Sequence, residues 1–231
     1  GRMKEEIRMA TGVYLLEIPE TEDEKLDFFL EEAMKRVDKV RREKAEKIQN
    51  ARNRAASLGA GLLLQKMLRD YEKQIPLQEV KRCSMEELLA ETDRPASVRY
   101  LFGEKGKPEI EGFPLYFSLS HSGKYVICAV SEQKIGADIQ KYEKVEERKL
   151  AKRFFTGEEY QLLEQSNEEQ RQALFFTLWT QKEAYGKLTG QGVLPVLQRE
   201  PSGVSWAEFS PPEAGYAMAV CTETDKKETQ E

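Results

Sequence analysis

The chain of 231 residues is long enough for one large domain or two small ones with a workable core. Charged residues make up 33% and the formal net charge is −5, so the composition argues against nucleic acid as the default partner. The three cysteines are far apart and lack C-x-x-C spacing, and no apolar run or leader pattern indicates a membrane span or secretion. We therefore expect a cytoplasmic protein without disulfides or a zinc site.

The first part of the chain predicts a strand, two helical segments and a basic stretch between them. Residues 12–18 are apolar and β-prone, which predicts a strand that ends before Pro19, and apolar spacing predicts a helix over 26–37. Between residues 39 and 54, seven Lys and Arg residues accompany only two acids. The small and aliphatic residues 55–68 then predict a buried helix.

The middle of the chain predicts a hairpin that carries the only histidine, His121. A capping-box pattern at Ser84 predicts the start of a short helix. Residues 98–102 predict a strand, and residues 103–108, which include two lysines, predict a loop. Residues 116–123 and 125–130 are apolar strands joined by a turn, so the hairpin presents His121 at its connection.

The last part repeats the order of strand, helices and strands. The predicted elements are a strand over 134–140, helices over 146–155, 157–165 and 168–189, strands over 193–197, 203–209 and 215–222, and a solvated tail over 223–231. The same order occurs on each side of about residue 132, without sequence identity between the two parts. We therefore predict an α+β fold with two similar halves, residues 1–131 and 132–231.

A helix over residues 179–187 would place an aromatic ring, a carboxylate and an ammonium on one face, since Trp179, Glu183 and Lys187 are four residues apart. Asp138 on the preceding strand can bring a second carboxylate, and Mg²⁺ favours carboxylates together with phosphate oxygens. Taken singly, each feature has an ordinary explanation: an exposed helical ion pair, a core tryptophan or a capping acid. The spacing alone therefore does not decide the function.

Together these segments resemble the paired signature of the phosphopantetheinyl transferases, G-x-D followed by W-x-x-K-E-x-x-x-K. Gly136 and Asp138 match the first part, and about forty residues later Trp179, Glu183 and Lys187 match the second. Residues 117–123 resemble the family's serine-histidine-serine segment, and residues 153–160 resemble a further segment of the family's sequences. The resemblance extends from about residue 41 to 220 and is nearest to the surfactin-synthetase-activating type, which holds two halves in one chain.

The resemblance implies transfer of the 4'-phosphopantetheine arm of coenzyme A to a serine of an apo carrier protein, with release of adenosine 3',5'-bisphosphate. It implies a monomer with the coenzyme in a cleft between the halves, Asp138 and Glu183 as Mg²⁺ ligands, and Glu183 also as proton acceptor. Lys187 would bind phosphate and balance charge on the leaving group. The implied coenzyme-binding residues are Arg41, Lys44, Arg54, Lys107, Ser120, His121 and Lys187.

The chain departs from this pattern at Gln140, where the family usually carries a second acid. An amide oxygen can coordinate Mg²⁺ but brings no charge, so Gln140 is a weaker candidate ligand, and the nearby Glu143 is an alternative. The departure keeps a second reading open, a catalytically impaired protein that binds coenzyme A or a carrier. An unrelated Mg²⁺-dependent phosphohydrolase is a third reading, and the sequence leaves the identity of the carrier open.

Overall fold

A computed structural model describes residues 11–92, 95, 97–103 and 107–224 of the chain. The strands are β1 (Gly12–Glu17), β2 (Val80–Cys83), β3 (Tyr100–Phe102), β4 (Pro108–Ile110), β5 (Tyr116–Ser122), β6 (Tyr125–Ser131), β7 (Ile135–Lys141), β8 (Val204–Ala207) and β9 (Tyr216–Glu223). The α-helices are α1 (Glu24–Arg36), α2 (Lys39–Glu46), α3 (Ala51–Glu72), α4 (Met85–Glu91), α5 (Glu147–Phe154), α6 (Gly157–Gln165) and α7 (Glu168–Thr189). The α+β class predicted from the sequence is confirmed. The loop residues 104–106 and the tail residues 225–231 lie outside the described residues.

The first sheet has the strand order β2-β1-β6-β5, in which β1 and β2 are parallel and the other pairs are antiparallel. Helix α3 begins where the Asn50 side chain accepts a hydrogen bond from Asn53 N, and its small residues let it lie close to its neighbours. A Cβ added to Gly61 would lie only 2.7 Å from Cγ of Arg41. This close packing fixes helix α2, and with it Arg41, against α3.

The second sheet has the order β7-β9-β8 and is antiparallel throughout. Helix α7 lies across β7 and β9, begins at the Asn167 cap and ends at Gly190, whose φ of 72° is the left-handed conformation that glycine adopts readily. A Cβ on Gly136 of β7 would lie 1.9 Å from the carbonyl oxygen of Ala184. Only glycine allows this approach, which brings Glu183 and Lys187 of α7 close to β7.

The two sheets share a hydrophobic core, because β1 and β6 are buried on both faces. Tyr14 and Leu16 of β1 pack with α3, whereas the alternate residues Val13 and Leu15 pack with strands of the second sheet. Second-sheet partners in this shared core are Ile135, Ala137, Ile139, Tyr216 and Val220. In the described part of the chain, no helix is both long enough and apolar enough to cross a membrane.

One strand prediction is wrong and the basic stretch is divided. Residues 193–197 do not form a strand; Leu194–Val196 is a 3-10 helix, because Pro195 supplies no backbone donor to a sheet and its φ suits a helical first turn. The basic stretch 39–54 forms α2 and the first turn of α3, with the Asn50 cap between them. The predicted long helices and the hairpin over residues 116–130 are confirmed, with boundaries that differ by a few residues from the predicted ones.

Candidate active site

A cavity of about 560 Å³ lies between the first sheet with helices α2 and α3 and the second sheet with helix α7. Nine of the ten residues predicted for the site line it: Arg41, Lys44, Lys107, Ser120, His121, Asp138, Gln140, Glu183 and Lys187. Cations and carboxylates therefore face a common space, although they come from opposite parts of the chain.

Asp138 lies in the middle of β7 and is 7% exposed. Its Oδ1 accepts a hydrogen bond from the Ser120 hydroxyl at 3.1 Å and lies 3.3 Å from Lys187 Nζ. Burial raises the pKa of Asp138, and the Lys187 ammonium and the two hydrogen bonds act in the opposite direction. Lys187 also donates to the carbonyl oxygen of Leu119 at 3.1 Å, so it links α7 to both β5 and β7.

Glu183 lies one helical turn before Lys187 and is partly buried in the same cavity. Burial, and then the negative charge of Asp138, raise the pKa of Glu183 to about 7, while Lys187 opposes the rise. A carboxylate with a pKa near neutrality can accept and release a proton at physiological pH. The same pair of repelling carboxylates favours a bound cation, which would relieve their repulsion.

The oxygen donors of the cavity fit Mg²⁺ that is also bound by substrate. Two carboxylates and the Gln140 amide face the cavity, and Mg²⁺ usually takes one or two carboxylates, with water and substrate phosphates as the other ligands. The Gln140 amide nitrogen donates to the carbonyl oxygen of Lys141 at 2.8 Å, so the amide oxygen is the group left for a cation. Across the described ranges no cluster of three His, Cys, Asp or Glu side chains is placed to hold a metal ion.

The opposite wall of the cavity is positive. Arg41 and Lys44 project from α2, which the Asp38 side chain caps by accepting from Arg41 N at 2.9 Å. The pKa of His121 is lowered by partial loss of water and then by the charges of Lys187, Lys44 and Arg41. The side chains of His121 and Lys44 are also solvent-exposed, so both can contact a ligand that enters the cavity. This wall suits an anion with several charges.

Lys107 lines the cavity but also joins distant parts of the chain. Its Nζ donates to the carbonyl oxygens of Ile135 at 3.1 Å and Leu188 at 3.3 Å. Burial lowers the pKa of Lys107. The ammonium therefore ties the end of the β3–β4 connection to the start of β7 and the end of α7.

The structure does not bring Arg54 to this cavity. Arg54 lines a second cavity of about 400 Å³ beside α1, together with Asp27, Leu30, Glu31, Met34 and Glu46. Its Nε donates to the carbonyl oxygen of Ile48 at 2.8 Å. Glu143, the alternative to Gln140, is exposed and does not line the larger cavity.

The sequence prediction did not include Ser118, which lines the larger cavity and is buried but has a structural contact, since its hydroxyl accepts from Ala137 N at 3.0 Å. The alternate serines at residues 118, 120 and 122 were a signal for it, since alternate residues of a strand share a face. Lys182 of the helix motif has a different place: it is 1% exposed and pairs with Glu159 at 2.9 Å. Trp179 stacks nearly parallel to Phe175, with ring centroids 6.2 Å apart, and also lines the cavity.

Comparison with known proteins identifies the family of this chain. The sequence model of the 4'-phosphopantetheinyl transferase superfamily matches residues 134–228. The chain is also 33% identical over 130 residues to 4'-phosphopantetheinyl transferase AcpT of Salmonella typhimurium, which covers 54% of this chain and 67% of AcpT. The chain belongs to the 4'-phosphopantetheinyl transferase superfamily. The family match contains Asp138, Glu183 and Lys187, whereas the cations of α2 lie outside it.

Other members of the superfamily align over a similar part of the chain. Psf-1 of Bacillus pumilus is 36% identical over 118 residues, covering 51% of this chain and 46% of psf-1. Sfp of Bacillus subtilis is 34% identical over 146 residues, covering 54% of this chain and 63% of Sfp. The chain thus matches about half of the length of the first transferases compared.

Proposed function

We propose that this chain transfers the 4'-phosphopantetheine arm of coenzyme A to a serine of an apo carrier protein in a Mg²⁺-dependent reaction. One observation carries the proposal: Asp138 and Glu183 share a cavity with the cations Arg41 and Lys44 and with the His121 imidazole. A carboxylate pair for a metal and a cationic wall for phosphates are the two requirements for reaction at a pyrophosphate.

The cationic wall would bind the nucleotide end of coenzyme A. Arg41 offers a planar guanidinium that can contact phosphate through two N–H groups, and Lys44 and His121 add donors beside it. Lys187, at the other side of the cavity, would bind an oxygen of the pyrophosphate and balance charge on the departing phosphate. Lys107 would contact the coenzyme from the rim while it keeps its bonds to Ile135 and Leu188.

Asp138 and Glu183, with the Gln140 amide oxygen, would hold Mg²⁺, which neutralises charge on the pyrophosphate oxygens when bound. Glu183 would take the proton of the carrier serine, directly or through water. The serine oxygen forms a bond to the phosphorus of the pantetheine phosphate as the bond to the bridging oxygen breaks. The leaving adenosine 3',5'-bisphosphate takes that electron pair.

The proposal includes two similar halves, residues 1–131 and 132–231, in one monomeric chain. The first strand of each half pairs antiparallel with its last strand, β1 with β6 and β7 with β9. In each half the third helix has 22 residues and lies on those strands. Because both walls of the cavity come from one chain, a second copy is not needed to complete the site. The proposal also includes a reducing cytoplasm, in which the three buried cysteines would remain thiols.

The proposal is tested by incubating the protein with an apo carrier protein, coenzyme A and Mg²⁺ and measuring the mass of the carrier. The expected result is a gain of one phosphopantetheine arm. If no carrier of the source organism gains mass, the transferase proposal fails. Binding of coenzyme A without transfer would favour the impaired binding protein, the alternative that Gln140 suggests.

Arg41→Ala is expected to raise the KM for coenzyme A by about 10-fold, because a charge-assisted contact to phosphate is lost. Arg54→Ala is the matched control: it removes the same side chain from a neighbouring helix but outside the cavity. We expect its KM to stay within about twofold of the wild type and its Tm to fall, because the bond to Ile48 is lost. Equal KM changes in the two variants would contradict this assignment of the cations.

Gln140→Glu is expected to lower the Mg²⁺ concentration for half-maximal transfer by roughly 10-fold, because metal affinity rises with the number of charged ligands. Gln133→Glu makes the same change in charge just before β7, at a residue that does not line the cavity, and should leave the Mg²⁺ requirement unchanged. The measurement is the transfer rate over a series of Mg²⁺ concentrations. An unchanged requirement in Gln140→Glu would remove residue 140 from the metal site.

A further inference from the structure

Three serines at alternate positions of β5 bind the backbone of β7. Because alternate residues of a strand share one face, all three hydroxyls point toward the neighbouring strand. The hydroxyl oxygens of Ser118, Ser120 and Ser122 accept from the amides of Ala137 at 3.0 Å, Ile139 at 3.1 Å and Lys141 at 2.9 Å. We call this set the serine ladder.

The serine ladder joins the edges of the two sheets. Among the described strands, β5 is at one edge of the first sheet and β7 is at one edge of the second, so the outer side of each has no paired strand in this part of the chain. Each bond spans 19 positions, which means that β5 and β7 run in the same direction in a fixed register. Serine hydroxyls thus satisfy the β7 amides that would otherwise lie unpaired at a sheet edge.

Ser120 differs from the other members of the ladder. Besides accepting from Ile139 N, its hydroxyl donates to Oδ1 of Asp138 at 3.1 Å. A hydroxyl has one proton, so the Ser120 proton is committed to Asp138 in this arrangement. Lys187 Nζ meets the same Oδ1 at 3.3 Å, so both donors hold one oxygen of the carboxylate from different elements.

The resemblance to the transferase family implied a contact between Ser120 and the coenzyme, but these bonds point to another role. We infer that Ser120 is a positioning residue, which holds the Asp138 carboxylate in place for the metal ion as the central member of the serine ladder. The inference rests on the proposed function, because it takes Asp138 as a metal ligand. Groups that orient a metal ligand commonly affect metal affinity or activity by about 10- to 100-fold when removed.

The test compares Ser120→Ala with Ser118→Ala. Both serines are buried, line the cavity and accept from a β7 amide, but the hydrogen bond to Asp138 comes from Ser120. Losing one ladder bond should lower the Tm of each variant by a similar amount, about 2–4 °C. The metal probe is Mn²⁺, whose binding in the presence of coenzyme A is followed by electron paramagnetic resonance.

We expect Ser120→Ala to weaken Mn²⁺ binding and raise the Mg²⁺ requirement by about 10-fold, with the KM for coenzyme A changed less than about twofold. Ser118→Ala should change neither. Ser120→Thr keeps the hydroxyl and should bind Mn²⁺ within about threefold of the wild type, which also provides a measurement if Ser120→Ala does not fold.

A higher coenzyme KM with unchanged Mn²⁺ binding in Ser120→Ala would overturn the inference and assign Ser120 to the coenzyme. Equal losses of Mn²⁺ binding in both alanine variants would also overturn it, since the ladder would then act only through the fold. Mn²⁺ binding does not depend on transfer. A wild-type protein that binds Mn²⁺ but does not transfer phosphopantetheine would contradict the proposed function alone. A wild-type protein that binds no Mn²⁺ would contradict the inference about Ser120.

Discussion

Glu183→Gln is expected to lower the rate of phosphopantetheine transfer by at least about 100-fold while the protein stays folded. The amide is nearly isosteric with the carboxylate, but it cannot accept the serine proton and brings no charge to a metal ion. The rate is measured by the mass of the carrier at saturating coenzyme A and Mg²⁺. The loss should appear in kcat, because the side chain acts on the reacting groups more than on nucleotide binding.

The matched control is Glu169→Gln, which makes the same change on the same helix at an exposed position in its first turn. Its activity should stay near that of the wild type, with at most a small loss of stability, because an acid near the start of a helix is worth about 0.3–1 kcal/mol. A Glu183→Gln variant that transfers at more than about a tenth of the wild-type rate would exclude Glu183 as both base and essential ligand.

The same variant has a pH signature in metal-free buffer. The pKa of Glu183 rises from 4.5 to about 7 on folding, so the folded protein holds this proton more tightly than the unfolded chain. Its contribution to stability is complete below about 4.5 and is lost as the pH rises through about 7. Gln keeps the neutral form at every pH, so the variant should gain stability relative to the wild type between pH 5 and pH 8, on the order of 1 kcal/mol after solvent screening. Thermal unfolding at both pH values measures this difference.

The sequence predicted that Asp138, Glu183 and Lys187 belong to one site because these residues lie on a short strand and at the period of one helix. Glu183 and Lys187 share a helix face in any α-helix, and Gly136 marks the place where a helix approaches its strand. The contacts that complete the site could not be predicted in this way. Lys187 meets Asp138 and Leu119, which lie on two other elements, and only the packing of β5, β7 and α7 brings them together.

Arg54 and the predicted strand over residues 193–197 show what composition alone does not predict. The basic stretch is predominantly positive along its length, but the Asn50 cap divides it between two helices, and the cations then face different cavities. The sequence carries no marker of which side of each helix meets the ligand. Similarly, the apolar residues around Pro195 predicted a strand, although the fixed φ and missing N–H of proline favour the first turn of a short helix.

Gly136→Ala is expected to destabilise the protein by about 3 kcal/mol or more, the largest stability effect proposed for this chain. The new Cβ would lie 1.9 Å from the carbonyl oxygen of Ala184 and 2.7 Å from the amide nitrogen of Leu188. Both are backbone atoms, so rotation of a side chain cannot relieve the overlap. Either β7 or α7 must move, which would separate Asp138 from Glu183 and so reduce transfer as well. Chemical denaturation measures the stability, and carrier mass measures the transfer.

Gly157→Ala is the matched control, because a Cβ on this exposed first residue of α6 meets nothing within 4 Å. Alanine is the better helix former by up to about 1 kcal/mol, so this variant should equal or exceed the wild type in stability. A Gly136→Ala variant as stable as Gly157→Ala would mean that β7 and α7 do not approach as closely as described. Glu183→Gln and Gly136→Ala should both lose transfer, but only Gly136→Ala should lose stability with it. That difference separates a residue that performs the chemistry from one that places the residues performing it.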